Sequence, residues 1–355
     1  MSYTTDDWID ISIPNSTIGY ELSNIGGGNA EDYHMSYNMH VIALFAATIG
    51  IPGNILTIVT LLSSPFLSGK PVNMYIIHQS FVDLFACLVS ILQHTVVINP
   101  TGLHRVIKQI VCKVWLAGGL GIMCYVASGY NLVCLSFERY KAIISPLKYD
   151  KNKIKTRFPV VVTGIWLLAA LSLVPMGIAN KLDLDGACYM LGHLKTSTER
   201  TVMMSYALCV HVILPATTVI ILYSRMIIAI SHAWSSSTDS TLEASSQRRN
   251  KMNKAQKNIF GTCITLVVLY LICWLYYLAT VLSFTTGLLS ATNDYYYAGH
   301  VLLIVNSSVN PFVYAIRYKD FQDAFVSRCN RKKFISENST TSITTVNNTQ
   351  KVIEQ

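Results

Sequence analysis

The sequence predicts an all-α protein: a bundle of seven membrane-spanning helices with a short amphipathic eighth helix. Three observations predict it. Only 13% of the 355 residues are charged, against about 25% in a soluble domain, while 52% are hydrophobic and the mean hydropathy is +0.40. Seven stretches long enough to cross a bilayer are almost free of Asp, Glu, Lys and Arg. The basic residues fall in short blocks between those stretches, mostly on one side. This balance argues against a water-soluble globule and against disorder. Nine Cys are too dilute for a disulfide-built secreted scaffold. The +8 charge is not gathered on a basic face, so nucleic acid is not an expected partner.

A bilayer asks for about 20 consecutive apolar residues per helix. Residues 39–62 hold no charged residue, and 72–98 hold only Asp83. Residues 114–137, 158–180 and 201–224 hold none; 258–293 hold none and contain one span plus a loop; 295–316 supply the seventh. Such runs are too long for strands and lack the ten-residue alternation of a barrel. Four organisational units follow: an outer tail 1–38, the bundle 39–317, an amphipathic helix 318–329 and an inner tail 330–355. The segment 231–250, rich in Ser and Thr, reads as a flexible loop.

Orientation follows from the basic residues. One side carries Arg105, Lys108, Lys113, Lys181, Lys195 and Arg200; the other carries the remaining 21 of 27. The amino terminus is therefore expected outside and the carboxyl tail inside, in a multi-pass plasma-membrane protein. The first 38 residues contain Asp6, Asp7, Asp10, Glu21, Glu31 and Asp32 but no Lys or Arg. They lack the basic start and apolar centre of a signal peptide, so the first span is expected to act as its own signal. Asn15-Ser16-Thr17 is a glycosylation sequon on the outer side.

Asp83 is the one acid deep inside a span. A carboxylate there costs roughly 2.5–3.5 kcal/mol on insertion scales, so it must face the bundle and find partners. Asn54, Ser128, Asn131, Asn306, Ser307 and Asn310 are the polar candidates. A small hard cation would satisfy the charge; protonation within a hydrogen-bonded network would serve equally. Glu138-Arg139-Tyr140 closes the third run at the inner surface, where Arg can also simply snorkel. Pro215 and Pro311 fall mid-span, and each frees a carbonyl.

These residues occur in a familiar order. Gly53-Asn54, Asp83 within Phe-Val-Asp-Leu, Glu138-Arg139-Tyr140 followed by Pro146-Leu147-Lys148-Tyr149, Trp166, Pro215 with Tyr223, Cys273-Trp274 and Asn310-Pro311-Phe312-Val313-Tyr314 stand in register. Over about 38–330 the chain resembles a rhodopsin-like (class A) G-protein-coupled receptor.

The resemblance implies several roles. Glu138 would hold Arg139 in the off state, and Arg139 would swing toward Tyr223 and Tyr314 in the on state. Trp274 would sense ligand at the cavity floor. Asp83, Ser128, Asn306, Ser307 and Asn310 match the family's sodium pocket, making sodium an allosteric ligand rather than an obligatory cofactor. Cys112 and Cys188 resemble the pair that staples the third span to the second outer loop. A heterotrimeric G protein, a receptor kinase and arrestin are the implied inner partners. Six hydroxyls within 339–345 would form an anionic patch once phosphorylated. Phe321 and Phe325, with Arg328, Arg331, Lys332 and Lys333, suit an interfacial helix, and Cys329 is a palmitoylation candidate.

Three departures stand out. Cys112 lies 27 residues before Arg139, two more than is usual in the family, so the outer end of the third span is expected to bulge or start early. Tyr276 stands where the family has a Pro in the sixth span, which keeps a backbone donor and weakens the kink. Gln256 replaces an acid able to lock Arg139. Together the last two imply a looser off state with ligand-free signalling.

The ligand is narrowed by subtraction. No Lys occurs between Lys257 and Lys319, and Ile304 stands at the retinal position, so an opsin is not expected. Gly121 stands where amine receptors carry Asp, so an amine is disfavoured. Gln93, Trp115, Tyr125, His211, Tyr277, Tyr296 and His300 are expected to line the outer cavity. The acidic amino terminus with Asp183 and Asp185 would attract a cationic peptide; a lipid or another small non-amine ligand is the alternative. A transporter would want repeats or several intramembrane polar sites. An enzyme would want paired acids or clustered His, and His78 and His94 lie sixteen residues apart.

Overall fold

The computed structural model describes residues 37–96, 103–183, 188–235, 243–286, 288 and 294–329. Asn15, Asp185, the hydroxyls of 339–345 and the basic residues after 329 lie outside the described residues, as do the side chains of Gln256 and Tyr296. Seven described helices are long and apolar enough to cross a membrane. The end bearing Cys112 and Cys188 is called outer and the end bearing Arg139 inner, following the predicted orientation.

Span one is Tyr37–Leu62 and span two Pro71–Thr95, with Pro71 in the first turn, where its missing N–H costs nothing. Span three is Gly119–Ile144 and span four Lys151–Ala179, where the Asp150 side chain accepts from the backbone N–H of Asn152 and Lys153. Span five begins at Ser197, where Thr196 and Glu199 form a reciprocal cap over its first turn. It passes through a π-helical turn, Cys209–Ile213, and ends as Leu214–Ser235. Span six is one uninterrupted helix, Glu243–Thr285, and span seven is Asp294–Arg317. A helix over 319–329 follows, with Phe321 buried and Phe325 stacked on it at 6.3 Å, so the predicted eighth helix is present.

The bundle is inside out relative to a soluble protein. Asn54, Gln79, Asp83, Ser128, Asn131, Ser307 and Asn310 are buried, while Leu167, Leu168, Leu171 and Ile178 of span four are exposed. Apolar side chains on the outside and polar ones within are stable only in hydrocarbon. Span three is the most enclosed of these helices and span four among the least. Span three packs against spans two, four, five and six, and span seven against one, two and six.

Two expectations about boundaries are corrected. The segment 231–250 is not one flexible loop. Residues up to Ser235 continue span five and those from Glu243 begin span six, leaving 236–242 outside the described residues. Span four starts at Lys151 rather than near 158. Charge-free runs mark the thickness of hydrocarbon, whereas backbone hydrogen bonding carries a helix on into water.

The two additional residues before Arg139 are absorbed at the outer end of span three. A short helix, Arg105–Ile110, runs into a π-helical turn, Val111–Leu116. The chain then breaks at Gly118, whose left-handed φ of 71° suits a residue without Cβ. The expected bulge takes the form of this π-helical turn; the early start does not occur, because span three itself begins only at Gly119, after the break. A two-stranded hairpin, Lys181–Leu182 with Cys188–Tyr189, lies beside this segment, and the Cys112–Cys188 disulfide joins them with a Cα separation of 5.5 Å.

Candidate functional site

Asp83 is fully buried at the centre. Asn310 Nδ2 donates to its Oδ2 at 2.6 Å, Ser128 Oγ donates to its Oδ1 at 3.2 Å, and Gln79 Nε2 donates to Oδ2 at 3.1 Å. The Ser307 hydroxyl faces the carboxylate but falls short of a well-formed hydrogen bond. Of the residues expected here, Ser128, Ser307 and Asn310 converge on Asp83. Asn306 is buried but its side chain is not among the hydrogen-bond partners of Asp83. Asn131 reaches Gln79 instead: its Nδ2 donates to Gln79 Oε1 at 2.7 Å and to the Tyr75 carbonyl at 3.0 Å. The oxygens of Asp83, Ser128 and Ser307 would suit a small hard cation, although the Gln79 amide already donates into their midst.

Gln79 was not among the sequence candidates. Its position four residues before Asp83, one helical turn away, is the signal that could have found it. His78 belongs to the same network and not to a metal site with His94. Trp166 Nε1 donates to His78 Nε2 at 3.3 Å, leaving Nδ1 to donate to Asn131 Oδ1 at 2.9 Å. Among the described residues no three His, Cys, Asp or Glu side chains gather as a metal cluster.

Two of the prolines within spans, Pro311 and Pro215, create acceptors that a neighbouring helix uses. Pro311 has no N–H for the Ser307 carbonyl four residues back, and Asn54 Nδ2 of span one donates to that carbonyl at 3.1 Å. Pro215 likewise leaves the His211 carbonyl, and Tyr270 of span six donates to it at 2.5 Å. An unpaired buried carbonyl costs about 1–3 kcal/mol, so each proline fixes which helix must sit beside it.

At the inner end Arg139 Nη2 donates to Glu138 Oε1 at 2.6 Å, and Nε donates to Oε2. The Tyr149 hydroxyl donates to Glu138 Oε1 as well. Burial and then the Glu138 charge push the Tyr149 phenol above its usual range, which keeps it a donor. The Glu138 side chain is 2% exposed and that of Arg139 12%. Tyr223 accepts from Ser136 Oγ at 3.4 Å and packs on Phe260. The Tyr314 hydroxyl is buried with no hydrogen-bond partner among the described residues. Just beyond span seven, Tyr318 donates to Asn73 Oδ1 at 2.5 Å, and Lys70 pairs with Asp320 at 2.6 Å, tying the eighth helix to span two.

Toward the outer end, ring contacts link His211 to Trp274 at 5.9 Å, Trp274 to Tyr277 at 5.9 Å, and Tyr277 to His300 at 4.9 Å. Trp274 Nε1 is buried without a partner among the described residues. Tyr125 pairs with Ser90 at 2.9 Å, and Gln93 Nε2 donates to the Trp115 carbonyl at 3.1 Å. Tyr125, His211 and Tyr277 are buried; they pack between helices and form a floor rather than an open wall. A Cβ on Gly121 would lie 3.2 Å from Gln93 Oε1, so Gln93 fills the space beside this position. Asp183 is paired with Lys181 at 3.5 Å, which reduces its share in attracting a cationic ligand.

Residues 53–314 match the family described as 7 transmembrane receptor (rhodopsin family). The chain is 22% identical over 289 residues to melatonin receptor type 1B of Rattus norvegicus, covering 80% of this chain and 75% of that protein. It is 25% identical over 290 residues to galanin receptor 2a of Danio rerio, covering 78% and 74%. It is 24% identical over 372 residues to 5-hydroxytryptamine receptor 4 of Homo sapiens, covering 92% and 90%. The crystal structure of squid rhodopsin aligns with a TM-score of 0.64 at 18% identity, covering 82% of this chain and 84% of that one, a likeness of fold alone. The relatives' names do not converge on one ligand.

Proposed function

The chain belongs to the rhodopsin family of seven-transmembrane receptors, and on that premise we propose that it converts binding of an extracellular peptide into activation of a cytoplasmic G protein. It is a multi-pass membrane receptor and not an enzyme. The observation that carries the mechanism is the inner lock. Arg139 is held by Glu138, whose carboxylate Tyr149 also donates to, while the Tyr314 hydroxyl stays buried with no hydrogen-bond partner among the described residues. Release of Arg139 toward Tyr314 and Tyr223 exchanges one set of partners for another, and ligand need only favour the second packing. Trp274, flanked by His211, Tyr270 and Tyr277, links the outer floor to this exchange. The uninterrupted sixth span and Gln256 support appreciable ligand-free signalling. Asp83, Ser128, Ser307, Asn306 and Asn310 would hold sodium, which supplies a positive charge that stabilises the off packing. The amino terminus lies outside, where Asn15 accepts a glycan; Cys329 accepts an acyl chain, and the phosphorylated inner tail engages arrestin.

The acidic amino terminus and the neutral polar, aromatic outer floor support a peptide. A lipid-like ligand has one observation in its favour. A cavity of about 240 Å³ lies between the outer halves of spans three and four, lined by Val114, Leu120, Met123, Ala170, Leu173 and Val174. Val114 and Val174 are exposed on the outer surface of the bundle, so the cavity opens toward hydrocarbon. A ligand panel of basic neuropeptides and lipids, read with G-protein dissociation reporters, separates the two. Responses to lipids alone would overturn the peptide reading, and an Arg139→Ala variant that signals normally would overturn the lock.

A further inference from the structure

We infer that Gln79 is a resident competitor for the cation site on Asp83, so that the orientation of one side-chain amide sets how much sodium the receptor needs. This rests on the sodium reading above and names the regulator of that site. Gln79 Nε2 donates to Asp83 Oδ2 at 3.1 Å and to Ser128 Oγ. Those are two of the oxygens a cation at this place would use. An amide nitrogen has no lone pair to offer and directs its hydrogens at its acceptor, so the amide in this orientation and a cation exclude each other.

The orientation is fixed from behind. Gln79 Oε1 accepts from Asn131 Nδ2 at 2.7 Å, and the same nitrogen donates to the Tyr75 carbonyl. Asn131 Oδ1 accepts from His78, which is itself held by Trp166. Turning the Gln79 amide over would offer Oε1 to a cation, but it would set the Gln79 and Asn131 N–H groups against each other. Gln79 and Asn131 are both fully buried, so bulk solvent does not relieve that conflict. A cation must therefore displace the amide before it binds, and a Leu at this position, close in size and without donors, removes the competitor.

The test uses the purified full-length receptor. Its thermal midpoint is followed as sodium chloride replaces choline chloride at constant ionic strength, because a cation that binds the folded state raises that midpoint. In Gln79→Leu the sodium concentration at which the midpoint begins to rise is expected to fall about tenfold or more, the order set by no longer displacing a hydrogen bond to a charged group. Should Gln79→Leu not fold, Gln79→Asn, one methylene too short to bridge Asp83 and Asn131, gives the same comparison. An unchanged or weaker sodium response in these variants, with Asp83→Asn abolishing the wild-type response, overturns the inference and leaves the sodium site standing. Wild type, Gln79→Leu and Gln79→Asn all insensitive, or Asp83→Asn as sensitive as wild type, overturns the sodium reading itself.

Discussion

Replacing Glu138 by Gln tests the inner lock most directly. In the closed arrangement Arg139 gives two hydrogen bonds to the Glu138 carboxylate, and Tyr149 gives a third. Both charged side chains are largely withdrawn from solvent, at 2% and 12% exposure, so the pair is not screened as a surface bridge would be. Gln retains one acceptor oxygen but loses the charge. Hydrogen bonds to charged groups contribute about 1.5–3 kcal/mol, and the bonds exist only in the off packing, so their loss shifts the equilibrium directly. A shift of about 2 kcal/mol changes the off-to-on ratio roughly 30-fold. A receptor on for about 1% of the time would then be on for about a quarter of it. Tyr149→Phe removes one of the three bonds, and about 1 kcal/mol corresponds to roughly fivefold. The assay is ligand-free guanine-nucleotide exchange on a G protein in membranes, normalised to receptor at the surface. Glu138→Gln exchanging no faster than wild type, with normal surface level, would refute the reasoning.

Three further outcomes follow from the helix contacts. Asn54→Ala leaves the Ser307 carbonyl unpaired and should cost about 1–3 kcal/mol; in a Pro311→Ala background, where residue 311 regains its N–H, thermal melts should show a clearly smaller cost, and strict additivity would count against the pairing. A Cβ on Gly129 would stand 2.5 Å from the Tyr270 hydroxyl, so Gly129→Ala should push Tyr270 off the His211 carbonyl and destabilise the receptor by about 1–3 kcal/mol, with an unchanged melting temperature as the contrary result. Cys188→Ser opens a crosslink between residues 76 apart, worth about 4 kcal/mol by chain entropy; its melting temperature should drop and become insensitive to reductant, unlike that of wild type.

Much of this was legible in the sequence because hydrocarbon enforces simple rules. Charge-free runs located the spans, and the isolation of Asp83 marked the centre before any contact was known. Ser128 and Asn310 were found because a buried carboxylate must recruit donors. Gln79 was missed because a polar residue within a span has many available partners, and only packing shows that it reaches both Asp83 and Asn131. Along the chain His78 shares its helix only with His94 as a possible ligand pair, whereas its actual partners come from spans three and four. Which outer residues face a ligand was least legible. Their direction depends on the π-helical turns at Val111–Leu116 and Cys209–Ile213, and such local widening leaves no periodic mark in the sequence.

The joint at Gly118 also governs how knowledge can be transferred from relatives. Inward of Gly119 the third span is regular down to Ile144, and positions counted outward from Arg139 keep their usual meaning. Beyond the joint, Trp115 and Lys113 follow the hairpin through Cys112–Cys188, and only counting from that bond assigns them sensibly. An alignment drawn without a gap across Gly118 would compare unrelated faces of the helix and misdirect any ligand docked against it.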